Sequence, residues 1–394
     1  MHGLHRILEL GLTNGSPKTE NERMRVGFDT EIVVVGGGIA GFFALDRLRT
    51  AGHQAHLIGC PRPGMDQTQW SQGILHTGWK YHRGDPRPFP DLAKTWRDMF
   101  EGNAEPKLPH EAIRTSNLRV WGDVDADPSL GPQVVDPPDC LGHHQVHDLE
   151  ENIIDPGVVL NHLREKHHPF CHHGLVKVTR MAGGFEILTG TEHILTKHLI
   201  LAAGAGNEAL GMMLGRPPGF MQRRPLRMYL IRGALPDLYG HAMQQKEVAL
   251  TIHTIPGKHN EQTWIIGGAL AEDAPELHAD EAEHRLRNAL MLFLPGGLPT
   301  GCWWSSYRID RAEKATTDGQ RPDDVCVELV NGVHYVWPTK LVLAPRAADI
   351  LLGMLPKPAH RTAQPESVVW QQLPELKAVQ VPIQDAGLKW RPLT

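Results

Sequence analysis

Three glycines at the spacing GxGxxG give this chain its clearest chemical signal. Gly36, Gly38 and Gly41 follow the apolar run 32–35. In this pattern the first glycine permits a tight turn, the second lets the backbone approach a pyrophosphate, and the third lets a helix pack against the strand. The free N–H groups and positive dipole end of that helix favour a phosphate anion. The spacing therefore predicts a site for the phosphates of a dinucleotide.

The segments around these glycines predict a strand–turn–helix–strand unit. Residues 31–35 indicate a buried parallel strand, residues 42–51 a helix that Gly52 ends, and residues 54–58 a second strand. GxGxxG binds dinucleotides in this βαβ context, and a coincidental glycine turn is the alternative. The acidic residue that usually binds the adenosine ribose, about 20 residues beyond the first glycine, is replaced by Gly59. Either the adenine end is bound more weakly, or Arg62 or backbone groups replace that contact.

Length and charge limit the function classes. With 394 residues the chain can form two domains, or one domain with a large insertion. A formal net charge of −5 without a basic stripe argues against nucleic acid as a partner. No apolar run reaches the roughly 18 residues of a membrane span, and residues 1–28 lack the apolar core of a signal peptide. We therefore expect a cytoplasmic protein.

Cysteine and histidine spacing predicts neither disulfides nor a metal site. The five cysteines are scattered and none is spaced as CxxC. This pattern is typical of reduced thiols. The 24 histidines include local groups at 143–147 and 167–173, but no matching cysteine or carboxylate spacing accompanies them. We expect solvated loop histidines and no metal.

Further along the chain the pattern changes twice. Residues 198–203 indicate a second buried strand that ends in small residues, which suggests a sheet assembled from distant segments. Between 216 and 304 the strand candidates 227–232, 249–253 and 263–268 alternate and are linked by turns, which indicates an antiparallel sheet. Apolar spacing predicts helices over 281–294 and 341–355.

Four segments in this order resemble the flavoprotein family of D-amino acid oxidase, glycine and sarcosine oxidases, L-2-hydroxyglutarate dehydrogenase and FAD-dependent glycerol-3-phosphate dehydrogenase. They are the fingerprint 36–41, the run Ser-Gln-Gly-Ile-Leu-His-Thr-Gly at 71–78, the helix start Ile-Asp-Pro at 154–156, and the strand end 201–206. The resemblance covers roughly residues 30–360.

The resemblance implies an α/β (α+β two-domain) fold, with a Rossmann-like FAD/NAD(P)-binding domain and an inserted, mainly antiparallel substrate domain. The FAD-binding domain is expected in three parts (29–110, 145–215 and 305–362) and the substrate domain in two (111–144 and 216–304). A mobile extension, 1–28, and a C-terminal tail, 363–394, flank them. FAD fits better than NAD because a second glycine-ended strand near residue 200 is needed to cradle the longer flavin nucleotide.

The resemblance also assigns residues to the cofactor. The expected FAD-binding residues are Gly36, Gly38, Ile39, Ala40, Gly41, Thr68, Ser71, Gln72, Gly73, Val176, Ala203, Gly204, Thr339 and Lys340. Family members place the last helix N-terminus against the flavin pyrimidine ring, where positive charge on Lys340 stabilises the reduced, anionic flavin. A solvent-facing lysine is the alternative. We expect no covalent flavin link.

Three residues are expected to be catalytic. The run 71–78 is most similar to the hydroxy-acid and glycerol-phosphate branch, in which a histidine lies near the flavin, so His76 is the expected base. An imidazole titrates near neutral pH and can accept a hydroxyl proton as hydride departs. The alternative is a histidine that only hydrogen-bonds the flavin or the backbone.

Arg308 and Tyr307 are the other two expected catalytic residues. Family members often hold a substrate carboxylate or phosphate with an arginine at the place of Arg308, and a guanidinium binds such groups bidentately. Tyr307 would supply a hydroxyl to the same pocket. The alternatives are a surface ion pair of Arg308 with Asp310 or Glu313, and a core position for Tyr307.

The expected function is an FAD-dependent oxidoreductase that oxidises a small anionic substrate, a 2-hydroxy acid or a glycerol-phosphate-like CH–OH donor, by hydride transfer to flavin. No NADPH fingerprint or CxxxxC pair is present, so electrons are expected to enter from the substrate. The acceptor is oxygen, a quinone or a carrier protein. Two alternatives remain open: an amino acid or amine (CH–NH) oxidase of the same family, and a catalytically degenerate flavin-binding partner protein.

Overall fold

The computed structural model describes residues 29–59, 67–79, 88–124, 130–131, 133–189, 193–257, 261–273, 275–358 and 387–393. The strands are β1 Thr30–Val35, β2 Ala55–Gly59, β3 Ile74–Leu75, β4 Ile113–Thr115, β5 Leu118–Gly122, β6 Val146–Leu149, β7 Asn152–Ile154, β8 Cys171–His173, β9 Leu175–Met181, β10 Gly184–Thr189, β11 His193–Leu201, β12 Met221–Gly233, β13 Gly240–Gln244, β14 Glu247–Pro256, β15 Gln262–Gly267, β16 Trp303–Lys314, β17 Cys326–Val330, β18 Val333–Trp337 and β19 Arg391–Pro392. The α-helices are α1 Ile39–Thr50, α2 Phe89–Phe100, α3 Pro156–Lys166, α4 Gly206–Met213, α5 Ala269–Glu272, α6 Ala279–Phe293 and α7 Ala344–Met354.

The first sheet has the strand order β17-β18-β11-β1-β2-β8, with the β9–β10 hairpin attached to β11. β18, β11, β1, β2 and β8 run parallel. β1 is buried on both faces, as parallel strands are, since Ile32 and Val34 pack with α1, α2, α3 and α7 while Val33 and Val35 belong to a second cluster. β1 pairs with β2 on one side and with β11 on the other, and ligands bind at the carboxyl ends of strands at such a switch point.

The second sheet is mainly antiparallel, with the order β19-β16-β12-β15-β14-β13-β5-β6. Only its β13–β5 pair is parallel among the described pairings. On the outer face, Trp264 and Trp304 pack against Leu286 and Leu290 of α6. The opposite face carries Tyr307, and we call it the inner face. Successive residues of each strand point to opposite sides of the sheet, so both faces carry side chains.

A small sheet, β3-β7-β4, connects the two larger ones. Gly73 precedes β3 in the left-handed region (φ +69°), and a Cβ there would lie 1.9 Å from the Ile154 carbonyl oxygen. The predicted helix start at 154–156 is present, because the Asp155 carboxylate caps α3 by accepting hydrogen bonds from Gly157 N and Val158 N at 2.9 and 3.3 Å. This junction brings the segment 67–77 between the two domains.

The two-domain α/β architecture is confirmed. Two predicted segment boundaries differ from the strand pairing: β6 pairs with β5, and β16 pairs with β12. Both strands therefore belong to the antiparallel sheet, although β6 lies beyond residue 144 and most of β16 beyond residue 304. Strand partners decide sheet membership, and composition does not reveal them. The predicted extension 1–28 and all of the tail except 387–393 lie outside the described residues.

None of the helices in the described ranges is both long and apolar enough to cross a bilayer. In the same ranges Cys140, Cys171, Cys302 and Cys326 are free thiols, while Cys60 is outside them.

Candidate active site

The glycine loop between β1 and α1 has the close contacts that its pattern predicts. Gly36 has φ +132°, and a Cβ there would lie 2.2 Å from the Ala202 carbonyl oxygen. A Cβ on Gly41 would lie 1.9 Å from the Gly36 carbonyl oxygen. Gly38 is the N-cap of α1 and offers no capping side chain, and the first turn carries no acidic residue. The helix N-terminus is thus prepared for an anion.

The segment 67–73 crosses from this loop to the inner face. Thr68 Oγ1 accepts a hydrogen bond from Ile39 N at 3.2 Å, and it would touch a Cβ on Gly38 at 3.1 Å. Ser71 Oγ donates to the Thr68 carbonyl at 2.9 Å. Gln72 Nε2 donates to the carbonyl oxygens of Thr251 and Ile265 at 3.0 and 3.2 Å. The predicted cofactor residues of this segment therefore lie between the glycine loop and the antiparallel sheet.

The second glycine-ended strand lies beside the first. Ala202 N donates to the Val35 carbonyl at 2.8 Å, and Ala203 N donates to the side chain of buried Asn207 at 2.8 Å. Gly204 has φ +55°. Ile39 and Ala40 begin α1 across this edge. Val176 is the second residue of β9, which follows β8, and the last residue of β8 pairs with Gly59 at the end of β2.

Gly59 occupies the position at which a ribose-binding acid was expected. A Cβ there would lie 3.2 Å from Gly37 Cα and 3.4 Å from Gly37 N, so the glycine loop packs directly against it. A larger residue would press on the loop that binds the phosphates. Arg62, the predicted substitute, lies outside the described residues.

The loop before α7 presents the last two predicted cofactor residues. Thr339 has φ +58°, and its hydroxyl lies 2.7 Å from the Pro338 carbonyl. Lys340 Nζ donates to the Asp323 carbonyl at 3.1 Å and lies 4.6 Å from the centre of the Phe89 ring. Burial, with Arg321 nearby, lowers the pKa of Lys340 to about 8. The lysine is therefore a partly desolvated cation and not a solvent-facing one.

His76 belongs to a polar cluster on the inner face that the sequence analysis missed. Its Nδ1 lies 3.4 Å from Glu151 Oε2, and its side chain is 12% exposed. Glu151 is buried, and its Oε1 accepts hydrogen bonds from Thr77 N and Thr77 Oγ1 at 2.8 and 2.9 Å. His241 Nε2 lies 4.0 Å from Glu151 Oε2. Glu151 and His241 gave no signal in the sequence, because the contacts within this cluster join Glu151 to residues 74 or more positions away in the chain.

Arg308 and Tyr307 lie on opposite faces of β16, so the expectation that they share one pocket is not met. Tyr307 is buried on the inner face, and its hydroxyl donates to the Trp70 carbonyl at 3.2 Å. Burial raises the pKa of Tyr307. Arg308 is 48% exposed on the outer side and pairs with Glu276 at 2.5 Å. Adjacent strand residues must alternate, which separates the two side chains.

Arg311 is the arginine of β16 on the same face as Tyr307. It stands opposite Arg224 of β12 and donates to Glu272 at 2.9 Å. Burial lowers the pKa of Arg311, and Arg311 with Arg321 lies near Lys340. Ala312 N, next in the chain, donates to the Gln67 side chain at 3.2 Å, which connects this end of β16 to the segment before the glycine-contacting Thr68.

The predicted histidine groups form ordinary contacts. His167 pairs with Asp46 at 2.8 Å, and His172 lies 3.0 Å from His56. Among the described residues, the group whose ligand atoms lie close enough together for a metal is His76, Glu151 and His241.

These features fit an FAD. Backbone N–H groups at the α1 N-terminus, with Thr68, would hold the pyrophosphate, because the three glycines leave space that any Cβ would fill. The strand ends at Gly36 and Gly204 give the long nucleotide two adjacent cradles.

Comparison with known proteins points to the same cofactor. The sequence model of the family described as FAD dependent oxidoreductase (DAO) matches residues 31–327. A protein of Pseudomonas aeruginosa named probable FAD-dependent oxidoreductase is 29% identical over 376 residues, covering 87% of this chain and 96% of that protein. Its crystal structure matches with a TM-score of 0.73, covering 87% of this chain and 95% of the other.

More distant structures share the fold. Glycine oxidase of Geobacillus kaustophilus has a TM-score of 0.60 at 12% identity, covering 83% of this chain and 95% of that chain. Iminodiacetate oxidase of a Chelativorans species has a TM-score of 0.58 at 14% identity, covering 84% and 97%. The family match spans most of the chain and includes the glycine loop, the segment 67–77 and the inner face. The chain therefore belongs to the DAO family of FAD-dependent oxidoreductases, and it is an enzyme whose cofactor is FAD.

Proposed function

We propose that this enzyme oxidises a small anionic molecule at a carbon that bears a hydroxyl group, and that His76 accepts the hydroxyl proton. The observation that carries this proposal is the contact of the His76 imidazole with a buried carboxylate, 3.4 Å away, on the inner face. Oxidation of CH–OH removes a hydride and a proton. FAD supplies the hydride acceptor, so the chain must supply a base for the proton, and a neutral imidazole suits that task.

The substrate anion is assigned to the basic group at the end of β16. Arg311 faces inward, and Arg321 and Lys340 lie near it, while Glu272 and Glu313 balance part of the charge. The Arg311 side chain is 31% exposed, against 48% for Arg308, and a less hydrated guanidinium binds a carboxylate or phosphate more strongly. Arg308, which pairs with Glu276 on the outer side, is less suited to this role.

Lys340 is assigned to the cofactor, as the resemblance implied. Its ammonium lies at the N-terminal side of the turn that leads into α7, where a positive charge would favour the reduced flavin. With a pKa of about 8, this charge is present at neutral pH and is lost as the pH rises above that value.

The alternative donor is an amine. The structural relatives named glycine oxidase and iminodiacetate oxidase point toward CH–NH donors, although at 12% and 14% identity they share the fold alone. An amine nitrogen that reacts in its neutral form needs no base, so the His76–Glu151 contact favours a hydroxyl donor. The remaining alternative is a degenerate flavin-binding partner. The electron acceptor and the cytoplasmic location stay predictions.

Anaerobic reduction of the purified holoenzyme tests the proposal. The flavin absorbance between 300 and 550 nm is recorded after addition of each member of a panel of 2-hydroxy acids, glycerol phosphate and amino acids. Bleaching by a hydroxy acid or by glycerol phosphate supports the proposal. Bleaching by amino acids alone supports the amine alternative and overturns the proposal of a hydroxyl donor. A flavin that no compound bleaches, although dithionite reduces it, favours the degenerate partner protein.

A further inference from the structure

Glu151 is a buried carboxylate that, among the described residues, contacts no lysine or arginine side chain. It lies between β6 and β7 and is 1% exposed. In the described part of the chain its polar contacts come from Thr77 N and Oγ1, from His76 Nδ1 at 3.4 Å and from His241 Nε2 at 4.0 Å. None of these groups is a lysine or an arginine. A buried charge is costly unless it is paired and hydrogen-bonded, so this carboxylate favours a hydrogen bond from an adjacent imidazole N–H and stabilises that imidazole further when it becomes a cation.

The two imidazoles differ in burial. His241 is fully buried, and its Nδ1 lies 2.9 Å from Thr251 Oγ1 on the neighbouring strand β14. His76 follows the two-residue strand β3 and keeps 12% of its side chain exposed. Their rings stack with centroids 6.2 Å apart. Of the two, His76 is the one that a substrate can reach.

We propose that Glu151 is a positioning residue for His76, and that it stabilises the imidazolium formed when His76 accepts the substrate proton. This inference rests on the proposed function. A hydrogen bond from His76 Nδ1–H to the carboxylate leaves the Nε2 lone pair as the proton acceptor. The substrate O–H bond breaks as its proton moves to Nε2, the O–H electron pair forms the carbonyl C=O bond, and bound FAD would accept the C–H hydrogen as hydride. The new positive charge then lies beside the carboxylate.

The groups that face His76 from the surrounding elements are consistent with this role. Glu151 faces it from the β6–β7 connection and His241 from β13. His253 of β14 lies on the same face, and its Nδ1 is 2.5 Å from the Gln72 carbonyl. Burial lowers the pKa of His253 to about 4, so it is neutral near pH 7. Thr77 anchors the other carboxylate oxygen through two hydrogen bonds.

A divalent metal is the competing interpretation of the same three side chains. The ligand atoms of His76, Glu151 and His241 lie within 4.8 Å of one another, and two histidines with one carboxylate are a known donor set for transition metals. A metal would occupy the imidazole nitrogens and remove the base. Metal content must therefore be measured together with the titration of His76.

The first measurement follows the titration of His76 and needs no substrate. The holoenzyme is labelled at histidine Cε1, its 13C–1H spectra are recorded against pH, and the His76 signal is identified by its loss in His76→Asn. In Glu151→Gln, the midpoint of the His76 titration should move to lower pH by about one unit, because an opposite charge favours the imidazolium. The matched control is Glu31→Gln, which breaks the contact of Glu31 with His53, 3.0 Å, at the opposite end of β1 from the glycine loop.

An unchanged His76 midpoint in a folded, flavin-containing Glu151→Gln protein overturns the inference. A His76 signal that does not titrate, together with one equivalent of metal by elemental analysis, overturns it as well. Should Glu151→Gln fail to fold, Glu151→Asp serves: the shorter side chain withdraws the carboxylate, and a smaller shift in the same direction is expected. No shift in Glu151→Asp contradicts the role.

Flavin reduction kinetics separate this inference from the proposed function. With whichever panel compound bleaches the flavin, Glu151→Gln should lower the limiting reduction rate at least tenfold and move the acid limb of its pH profile to lower pH, with little change in substrate affinity. If no hydroxy compound bleaches the flavin but the titration shift is present, the proposed function fails while the His76–Glu151 coupling stands. If a hydroxy compound bleaches it and Glu151→Gln reacts like the parent, the inference alone fails.

Discussion

The two sides of the site are built in different ways. On the FAD-binding side, the glycine loop offers backbone N–H groups and empty space, and its residues lie within six positions of one another in the chain. On the inner face, His76, Glu151, His241 and Arg311 come from four separate stretches. The FAD-binding side depends on glycines, which leave space for the cofactor. The inner face depends on the direction in which polar side chains project from separate strands. A substitution should therefore act on cofactor content on the first side and on reduction kinetics on the second.

The sharpest test of the first side is Gly41→Ala. The added Cβ would lie 1.9 Å from the Gly36 carbonyl oxygen, so the backbone of the glycine loop would have to move. We therefore expect the variant to lose bound FAD or to fail to fold. The ratio of flavin to protein absorbance measures it. The control is Gly353→Ala in α7, where nothing lies within 4 Å, and which should stabilise the protein by up to about 1 kcal/mol. Full FAD content in Gly41→Ala would contradict the claim that FAD binding needs the space that Gly41 leaves.

His76→Asn is the matching test of the second side. We expect FAD to remain bound while the rate of flavin reduction by the donor falls by about 10²- to 10⁴-fold, the usual contribution of a general base. Stopped-flow absorbance under anaerobic conditions measures the rate. A variant that loses its flavin instead would mean that His76 supports the cofactor, and the contrast between the two sides would disappear.

The next largest effect is expected on the KM of variants at two arginines of β16. Arg311→Met should raise the KM for the anionic donor about 10- to 100-fold, since hydrogen bonds to charged groups contribute about 1.5–3 kcal/mol. Arg308→Met should change KM less than threefold, because Arg308 pairs with Glu276 on the outer side. Steady-state kinetics on the two variants side by side decides the matter. The reverse result would return the anion site to Arg308.

The smallest expected effect is a pH dependence of stability that both domains share. Burial lowers the pKa of His334 on β18 and of His253 on β14 to about 4, whereas an unfolded histidine titrates near 6.5. Between these values the unfolded chain binds more protons, so stability falls as the pH drops below about 6.5, by about 1 kcal/mol per histidine between pH 6.5 and 5.5. Thermal unfolding against pH measures the slope. His334→Leu should flatten it, whereas His284→Leu, an exposed position on α6, should not.

Sequence predicted the local parts of this fold well. The helix expected over 281–294 is α6 Ala279–Phe293, and the strand expected over 263–268 is β15 Gln262–Gly267. The helix expected over 341–355 begins with a 3-10 turn, Leu341–Leu343, before α7. Apolar periodicity and turn residues act over a few positions, so a single chain carries that information. Strand partners do not, which is why β6 and β16 were assigned to the wrong side of two boundaries.

By itself, the sequence determined the glycine loop, the order of its flanking elements and the position of His76 in the run 71–78. Each depends on residues adjacent in the chain, where the backbone geometry of glycine and the spacing of apolar residues decide the structure. Only the tertiary structure decided that Glu151 and His241 meet His76, and that Arg311 rather than Arg308 shares a face with Tyr307. Those outcomes follow from strand register and from the alternation of side chains across a sheet. A shift of a strand's pairing by one residue moves each of its side chains to the other face.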